Sequence, residues 1–527
     1  MKRFVAPLVL LALLAAPAAT APPAASAASA PPAEPSIGRL LANYARAAAD
    51  PGVDLNAPVE ESGRLSGGAL SGTFHVWDDG ERRRIDQKLG PRGESTLRLG
   101  SRVYDRDADG DVREYTGVLL RRERTDDFVE SGAFAKMPER CVPRGLSRVD
   151  GRSAYAFDVS APGGDTETVY LDAETWLPLR YAYDQDDALV TVDLSDWRSV
   201  GGRRFAYRVV ASNGDREFDE VERLESVDLA PTFADGLFAL PQPHSIDMSG
   251  PQTLALTARD GHLFVPVTLA GKHYSFMLDS GSQSVVVDDR IAREAGLVRE
   301  GKFEAAGTQR TGGLKLARLS ALGIGSGTLH DLVADTIDLA GTTGGAFRID
   351  GILGYPFFAQ ATVEIDAAKL RLRFGPPGSF APRGTRLGIE IDRSIPEASL
   401  QLNGAIEGNF LIDTGNAGEV LLYHRFVQSH PGLVPSFFAQ NERRSYGIGG
   451  ATASYHTTLD ALRLGTETLY HADTDVMQAT SGAFADRFDA GNVGLGVLKN
   501  FVTTFAFSDR ALYLARGEAF DDGRNRQ

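Results

Sequence analysis

The stretch FMLDSGSQSVVV, residues 276–287, decides how this chain is read. An apolar run stops at a carboxylate, turns through Ser-Gly and resumes as Ser-Val-Val-Val. Either the turn uses Asp279 and Gly281 for their backbone preferences, or Asp279 is held at the end of a strand for chemistry. One copy of the motif does not separate these readings. A second copy, FLIDTGNAGEVLL, stands at 410–422, an offset of 134 residues, and places Asp413 where Asp279 stands in the first.

The pair belongs to a longer internal duplication. LSALGIGSGTLHDLVAD (319–335) and LDALRLGTETLYHADTD (459–475) match at an offset of 140, with Leu319/Leu459, Leu322/Leu462, Gly325/Gly465, Leu329/Leu469 and Asp335/Asp475 identical. Downstream, ILGYPFFAQATVEIDAAKLRL and GLGVLKNFVTTFAFSDRALYL align at an offset of 142, which equates Leu370 with Leu512 and Leu372 with Leu514. Two triplets, each after three apolar residues and each in register with a duplication, are far less expected by chance than one.

Two carboxylates brought together across a pseudo-twofold axis cannot both ionise cheaply, so they share a proton. One then acts as base toward a water and the other as acid toward a carbonyl. Gly281 and Gly415 suit the sharp turns that present the two side chains, and the Ser280 and Thr414 hydroxyls can hydrogen-bond those turns.

On these residues the chain resembles the pepsin and retropepsin-like aspartic peptidases over about residues 250–518. The resemblance implies a bilobal enzyme with catalytic Asp279 and Asp413 and a polypeptide substrate lying extended between the lobes. It also implies an apolar-apolar-Gly element packed under each catalytic loop. In the first unit this is Ile352-Leu353-Gly354; in the second the alignment gives Gly494-Leu495-Gly496, with glycine where the family prefers an apolar side chain. The family's Gly-rich flaps correspond to AAGTQRTGGLKLA (305–317) and RSYGIGGATASY (444–455), with Gly312, Gly313, Tyr446 and Gly449 as flap candidates. Plain surface hairpins are the alternative for both.

Upstream, SIGRLLANYARAAADPG reads as one amphipathic helix with Ser36 as N-cap and Leu40, Leu41 and Tyr44 on its apolar face. From about 64 to 240 alternating segments turn at Asp-Gly, Gly-Gly and Asn-Gly pairs, the pattern of an antiparallel sheet. VYLDAETWLPLRYAY and DWRSVGGRRFAYRV resemble later strands of the bacterial lipoprotein-carrier fold, a curved sheet around a helix. That resemblance leaves room for an apolar ligand in this domain. DRDADGDVREYT (105–116) sets Asp105, Asp107, Asp109 and Gly110 at calcium-loop offsets, but Thr116 stands where a bidentate Glu is needed and strands flank it. A tight acidic hairpin is the expectation.

The first residues combine Lys2 and Arg3 with an apolar run ended by Pro17 and then small residues, which reads as a secretory leader rather than a membrane span. Composition rich in Ala, Gly, Arg and Asp is of bacterial type, so a periplasmic or secreted location is expected. A net charge of −15 argues against nucleic acid as a partner. Cys141 is the single cysteine, so no internal disulfide exists, and a buried small side chain is its expected role. The nine histidines, His273 and His471 among them, lack zinc-site spacing, and no metal or other cofactor is expected.

The expected architecture is mainly β: two tandem retropepsin-like β-barrel lobes preceded by a helix-plus-curved-sheet domain. Its divisions are leader 1–28, linker 29–35, N-terminal domain 36–245, lobe one 246–378, linker 379–384, lobe two 385–520 and tail 521–527. The expected activity is that of an exported aspartic endopeptidase. A non-enzymatic periplasmic peptide- or lipid-binding protein, using the same cleft and the N-terminal sheet, is the alternative.

Overall fold

The computed structural model describes residues 35–185, 188–435, 442–518 and 520–524. The leader over 1–28 and nearly all of the linker 29–35 lie outside them. Among the described residues no helix is long and apolar enough to cross a membrane.

The chain is mainly β. Its N-terminal part is one 13-stranded antiparallel sheet whose strands neighbour each other in chain order, except that the first, Val59–Gly67, pairs with the last, Glu220–Asp228. The edges are Val112–Glu114 and Cys141–Val149. Helix α1 (Ile37–Ala48) packs Leu40, Leu41 and Tyr44 against Phe134, Phe157, Val169 and Val209. Its N-terminus is closed by the Ser36 carbonyl, which accepts from Arg39 N at 2.9 Å and Leu40 N at 3.0 Å, and not by the Ser36 side chain. A second helix, α2 (Gly117–Glu130), carries the chain from one edge of the sheet to the other. The antiparallel pattern expected over 64–240 contains no helix at this place, because the buried positions of α2 include Glu123 and Thr125 as well as Leu119, Phe128 and Val129. A buried Glu breaks the apolar stripe on which helix recognition rests.

Each of the following units forms an eight-stranded sheet with the same strand order. In the first it runs 257–259, 262–269, 272–278, 351–353, 286–288, 327–337, 310–324, 299–306; in the second, 390–392, 395–402, 406–413, 491–494, 420–423, 467–477, 450–464, 442–447. Additional pairings, Thr268 with Gly323 and Gln401 with Arg463, close each sheet into a barrel. Beneath them lies a six-stranded sheet shared by both units, with Thr362–Asp366 paired to Phe501–Ala506 at its centre. One apolar core runs through both barrels and this shared sheet.

The pairings revise the downstream repeat. Phe276 faces Gly351 and Phe410 faces Gly491; Leu254 pairs with Leu372 and Leu387 with Leu512. The offset of the downstream segments is therefore 140, the same as for 319–335, so Leu372 corresponds to Leu512 and Leu370 to Arg510. Leu370 and Arg510 share a turn conformation, with φ of 49° and 47°. A slip of two residues keeps every side chain on its own face of a strand, so alternation alone could not detect it.

The acidic hairpin is a docking element. Asp107 accepts the N–H groups of Asp109 and Asp111, both at 3.0 Å, and Asp105 pairs with Arg113 at 2.9 Å. Asp109 in turn accepts Val333 N of the first barrel at 2.6 Å. Cys141 is buried, as expected of a small apolar side chain.

Candidate active site

Asp279 and Asp413 stand at the C-terminal ends of equivalent strands, Lys272–Leu278 and Ile406–Asp413. Each strand is held in parallel pairing on its free side, by Gly351–Leu353 and Gly491–Gly494. The two loops then lock onto each other. Ser280 Oγ donates to Ile412 O at 2.6 Å and Thr414 Oγ1 donates to Leu278 O at 2.9 Å; each hydroxyl also accepts the other loop's N–H, Ser280 N and Thr414 N, at 3.0 Å. Both side chains are essentially fully buried. These four bonds span the pseudo-twofold axis and fix the two carboxyls relative to each other.

The glycines show how close that approach is. A Cβ on Gly281 would lie 2.6 Å from Asp413 Cγ, and one on Gly415 would lie 2.3 Å from Asp279 Cγ. Only glycine lets each carboxyl rest against the opposite loop. Gly281 N donates to Asp279 Oδ1 at 2.9 Å, and Gly415 N donates to Asp413 Oδ1 at 2.7 Å. Burial pushes the Asp279 carboxyl well above its ordinary range, the Asp413 charge and a hydrogen bond to that carboxyl push it further, and the Gly281 and Ser282 N–H groups oppose the shift. The pair thus holds a proton at pH values where an isolated carboxylate has lost it.

Ile352, Leu353 and Gly354 lie against the first loop, with Gly354 packed on the Ser282 and Ser284 carbonyls. Tyr355 N donates to Ser282 O at 2.9 Å, and Leu495 N donates to Asn416 O at 2.7 Å in the same position of the second loop. The residues equivalent to Ile352-Leu353-Gly354 are therefore Asn492-Val493-Gly494. Leu495 and Gly496 do lie beneath the second loop, with Gly496 N donating to Gly418 O at 2.9 Å, but they begin a short helix, Leu495–Leu498.

The tips of the two hairpins meet each other. The first tip is Gly307–Gln309 and the second is Ile448–Gly449. Thr308 Oγ1 lies 3.0 Å from Ile448 O and 2.6 Å from Gly450 O, and Gln309 Nε2 donates to Ala451 O at 2.5 Å. Gly449 is at the second tip, with φ of 91°. Gly312 and Gly313 are not at the first; they lie in its returning strand, where Gly312 pairs with Glu304. Tyr446 is half exposed and its ring packs over Gly344 of the first unit.

Sequence reasoning missed three polar residues beside the pair. Asn492 Nδ2 donates to Asp413 Oδ2 at 2.5 Å, Asn416 Nδ2 donates to Asn492 Oδ1 at 3.0 Å, and His262 lies against Gly415 with its imidazole held below its ordinary range by burial. The available signal was a lone Asn between Gly491 and Val493 in a buried strand. Among the described residues no cluster of His, Cys, Asp and Glu could hold a metal ion.

Residues 265–357, which include the first triplet and Ile352-Leu353-Gly354, match a family model described as aspartyl protease. No curated protein matches the chain. Among solved structures, a DUF1329 family protein from Desulfovibrio piger is 13% identical over 38% of this chain and 95% of its own, with a TM-score of 0.28. A LolA superfamily protein from Nitrosomonas europaea is 11% identical over 39% of this chain and 99% of its own, with a TM-score of 0.29.

Proposed function

We propose that this chain is an exported aspartic endopeptidase in which Asp279 and Asp413 activate one water against a peptide carbonyl. The observation that carries the reading is the mutual approach of two partly buried carboxyls, each resting on the other loop's glycine. The shared proton leaves one carboxyl as base and one as acid. Water attack then gives a tetrahedral diol with no covalent enzyme intermediate, and reversing the proton roles expels the amine. An extended substrate below the joined hairpins would hydrogen-bond their strands and set alternate side chains into pockets. The family-model match over the first barrel supports this reading, and the Lys-Arg, apolar and small-residue leader supports export to the periplasm or beyond.

A peptide- or lipid-binding protein without catalysis, including one with an apolar ligand in the N-terminal domain, leaves the carboxyl pair without a use. Cleavage of unfolded protein substrates from acid to neutral pH by wild type, Asp279→Asn and Asp413→Asn separates the two. Each substitution is expected to lower kcat/KM by about 10²- to 10⁴-fold, the range of a general acid or base. Equal behaviour of all three proteins would refute the enzyme reading.

A further inference from the structure

The two halves of the site share a backbone but differ in hydrogen-bond donors. Asp413 accepts on both oxygens: Oδ1 from Gly415 N at 2.7 Å and Asn416 N at 3.1 Å, Oδ2 from Asn492 Nδ2 at 2.5 Å. The direction of that last bond is set by a backbone group that can only donate. Gly418 N donates to Asn416 Oδ1 at 2.8 Å, which turns Asn416 Nδ2 toward Asn492 Oδ1 at 3.0 Å, which in turn aims Asn492 Nδ2 at Asp413. Reversing either amide would set donor against donor or acceptor against acceptor.

Among the described residues the equivalent relay is absent around Asp279. Ile352 stands where Asn492 does and has no donor to offer. Ser282 stands where Asn416 does, and its hydroxyl donates away from the site, to Ser284 O at 3.0 Å. Asp279 Oδ1 accepts from Gly281 N at 2.9 Å, and the Ser282 N–H bears on the same carboxyl as Asn416 N does on Asp413, so the halves differ in the side-chain donor alone.

We propose that Asn492 is a positioning residue that keeps Asp413 ionised and so places the shared proton on Asp279, making Asp413 the base toward water and Asp279 the acid toward the carbonyl. A proton on Asp413 Oδ2 would oppose the Asn492 N–H, whereas a proton on Asp279 can be donated to Asp413. Hydrogen bonds to an ionised acceptor are the stronger kind, so the relay favours charge on the carboxyl it touches. Among the described residues the other titratable groups around Asp413 are Asp279 across the axis, His262 from the strand His262–Leu269, and the buried Tyr423 hydroxyl from Val420–Tyr423; Asp260 bears on His262 in turn. None of them supplies the directed donor that Asn492 does.

The inference rests on the peptidase reading for its chemistry but is tested without it. In the full-length protein labelled with ¹³C-carboxyl aspartate, the Asp279 and Asp413 shifts are followed from about pH 3 to pH 9, with Asp279→Asn and Asp413→Asn used for assignment. Asp413 is expected to ionise first. In Asn492→Ile, which installs the first unit's residue, the gap between the two ionisations is expected to narrow by about one pH unit, the scale of one hydrogen bond to a charged group. Asn492→Asp keeps the shape without the fixed donor and is expected to raise the Asp413 step too, which covers failure of the Ile variant to fold. Prior ionisation of Asp279, or an unchanged gap in the variants that fold, would overturn the proposal. In a cleavage assay the acid limb of kcat/KM is expected to move up by about one unit in Asn492→Ile. A lower kcat with unmoved limbs would mark Asn492 as merely structural. Absence of cleavage by wild type would count against the peptidase reading alone, since the carboxyl titration still decides the role of Asn492.

Discussion

At the scale of residues, the site depends on what is missing from two of them. Gly415 has no side chain because the Asp279 carboxyl occupies that space, and the reverse holds for Gly281 and Asp413. Gly415→Ala is expected to displace the carboxyls while sparing the barrels. Misplacement of about 1 Å costs roughly 10²-fold in rate, and overpacking by one methyl costs about 1–3 kcal/mol. Measured kcat/KM should therefore fall much further than thermal stability; an active Ala variant would show that the loops have slack. Both carboxylates and both glycines were legible in the sequence because each motif is local and duplicated. Asn492 was not, because its meaning comes from Asp413, 79 residues away, and from a register that a slip of two disguised.

At the scale of elements, the acidic hairpin shows how a ligand-like pattern becomes a joint. Its aspartates satisfy backbone N–H groups within the turn and on the first barrel, and their burial has a consequence for pH. Burial pushes the Asp107 carboxyl up to about 7, with Asp105 adding to the shift and Arg113 opposing it. Asp109 and Asp111 are raised well above their ordinary range by burial and by neighbouring aspartates. The folded state therefore holds protons that the unfolded chain releases. This stability is full below the ordinary carboxylate range and is lost as pH rises through about 7. Urea midpoints are expected to fall between about pH 5 and pH 8, and Asp107→Asn, which keeps the accepting oxygen but does not titrate, should flatten that slope. An unaltered slope would place the titration elsewhere. The same contrast explains the helices: α1 carries an apolar stripe readable in the chain, whereas α2 buries Glu123, held near 7 by burial, among the charges of Arg83, Asp127 and Arg98.

At the scale of the molecule, the N-terminal sheet is seated on both barrels. Phe303 of the first barrel, 5% exposed, packs with Leu65 and Leu89 of the sheet and with Leu316 and Val333 of its own unit. Arg113 donates to Ser394 Oγ at 2.6 Å and Arg510 pairs with Glu114 at 3.0 Å, which ties the second unit to the same sheet. Phe303→Ala is expected to weaken this seat by about 3–5 kcal/mol. The measurable result is earlier release of the N-terminal domain in urea and faster proteolysis within 229–251; unchanged proteolysis would mean that the polar contacts suffice. By itself the sequence determined that the chain is mainly β, that its C-terminal part is a duplication and that each copy presents one carboxylate. Those features are written in short-range pattern and in self-similarity. Tertiary structure decided the true register of the repeat, the meeting of the hairpin tips, the seating of the sheet and the unequal donors around equal carboxyls. Each of these is a contact between residues far apart in the chain, and neither periodicity nor composition encodes which partner a buried polar atom will find.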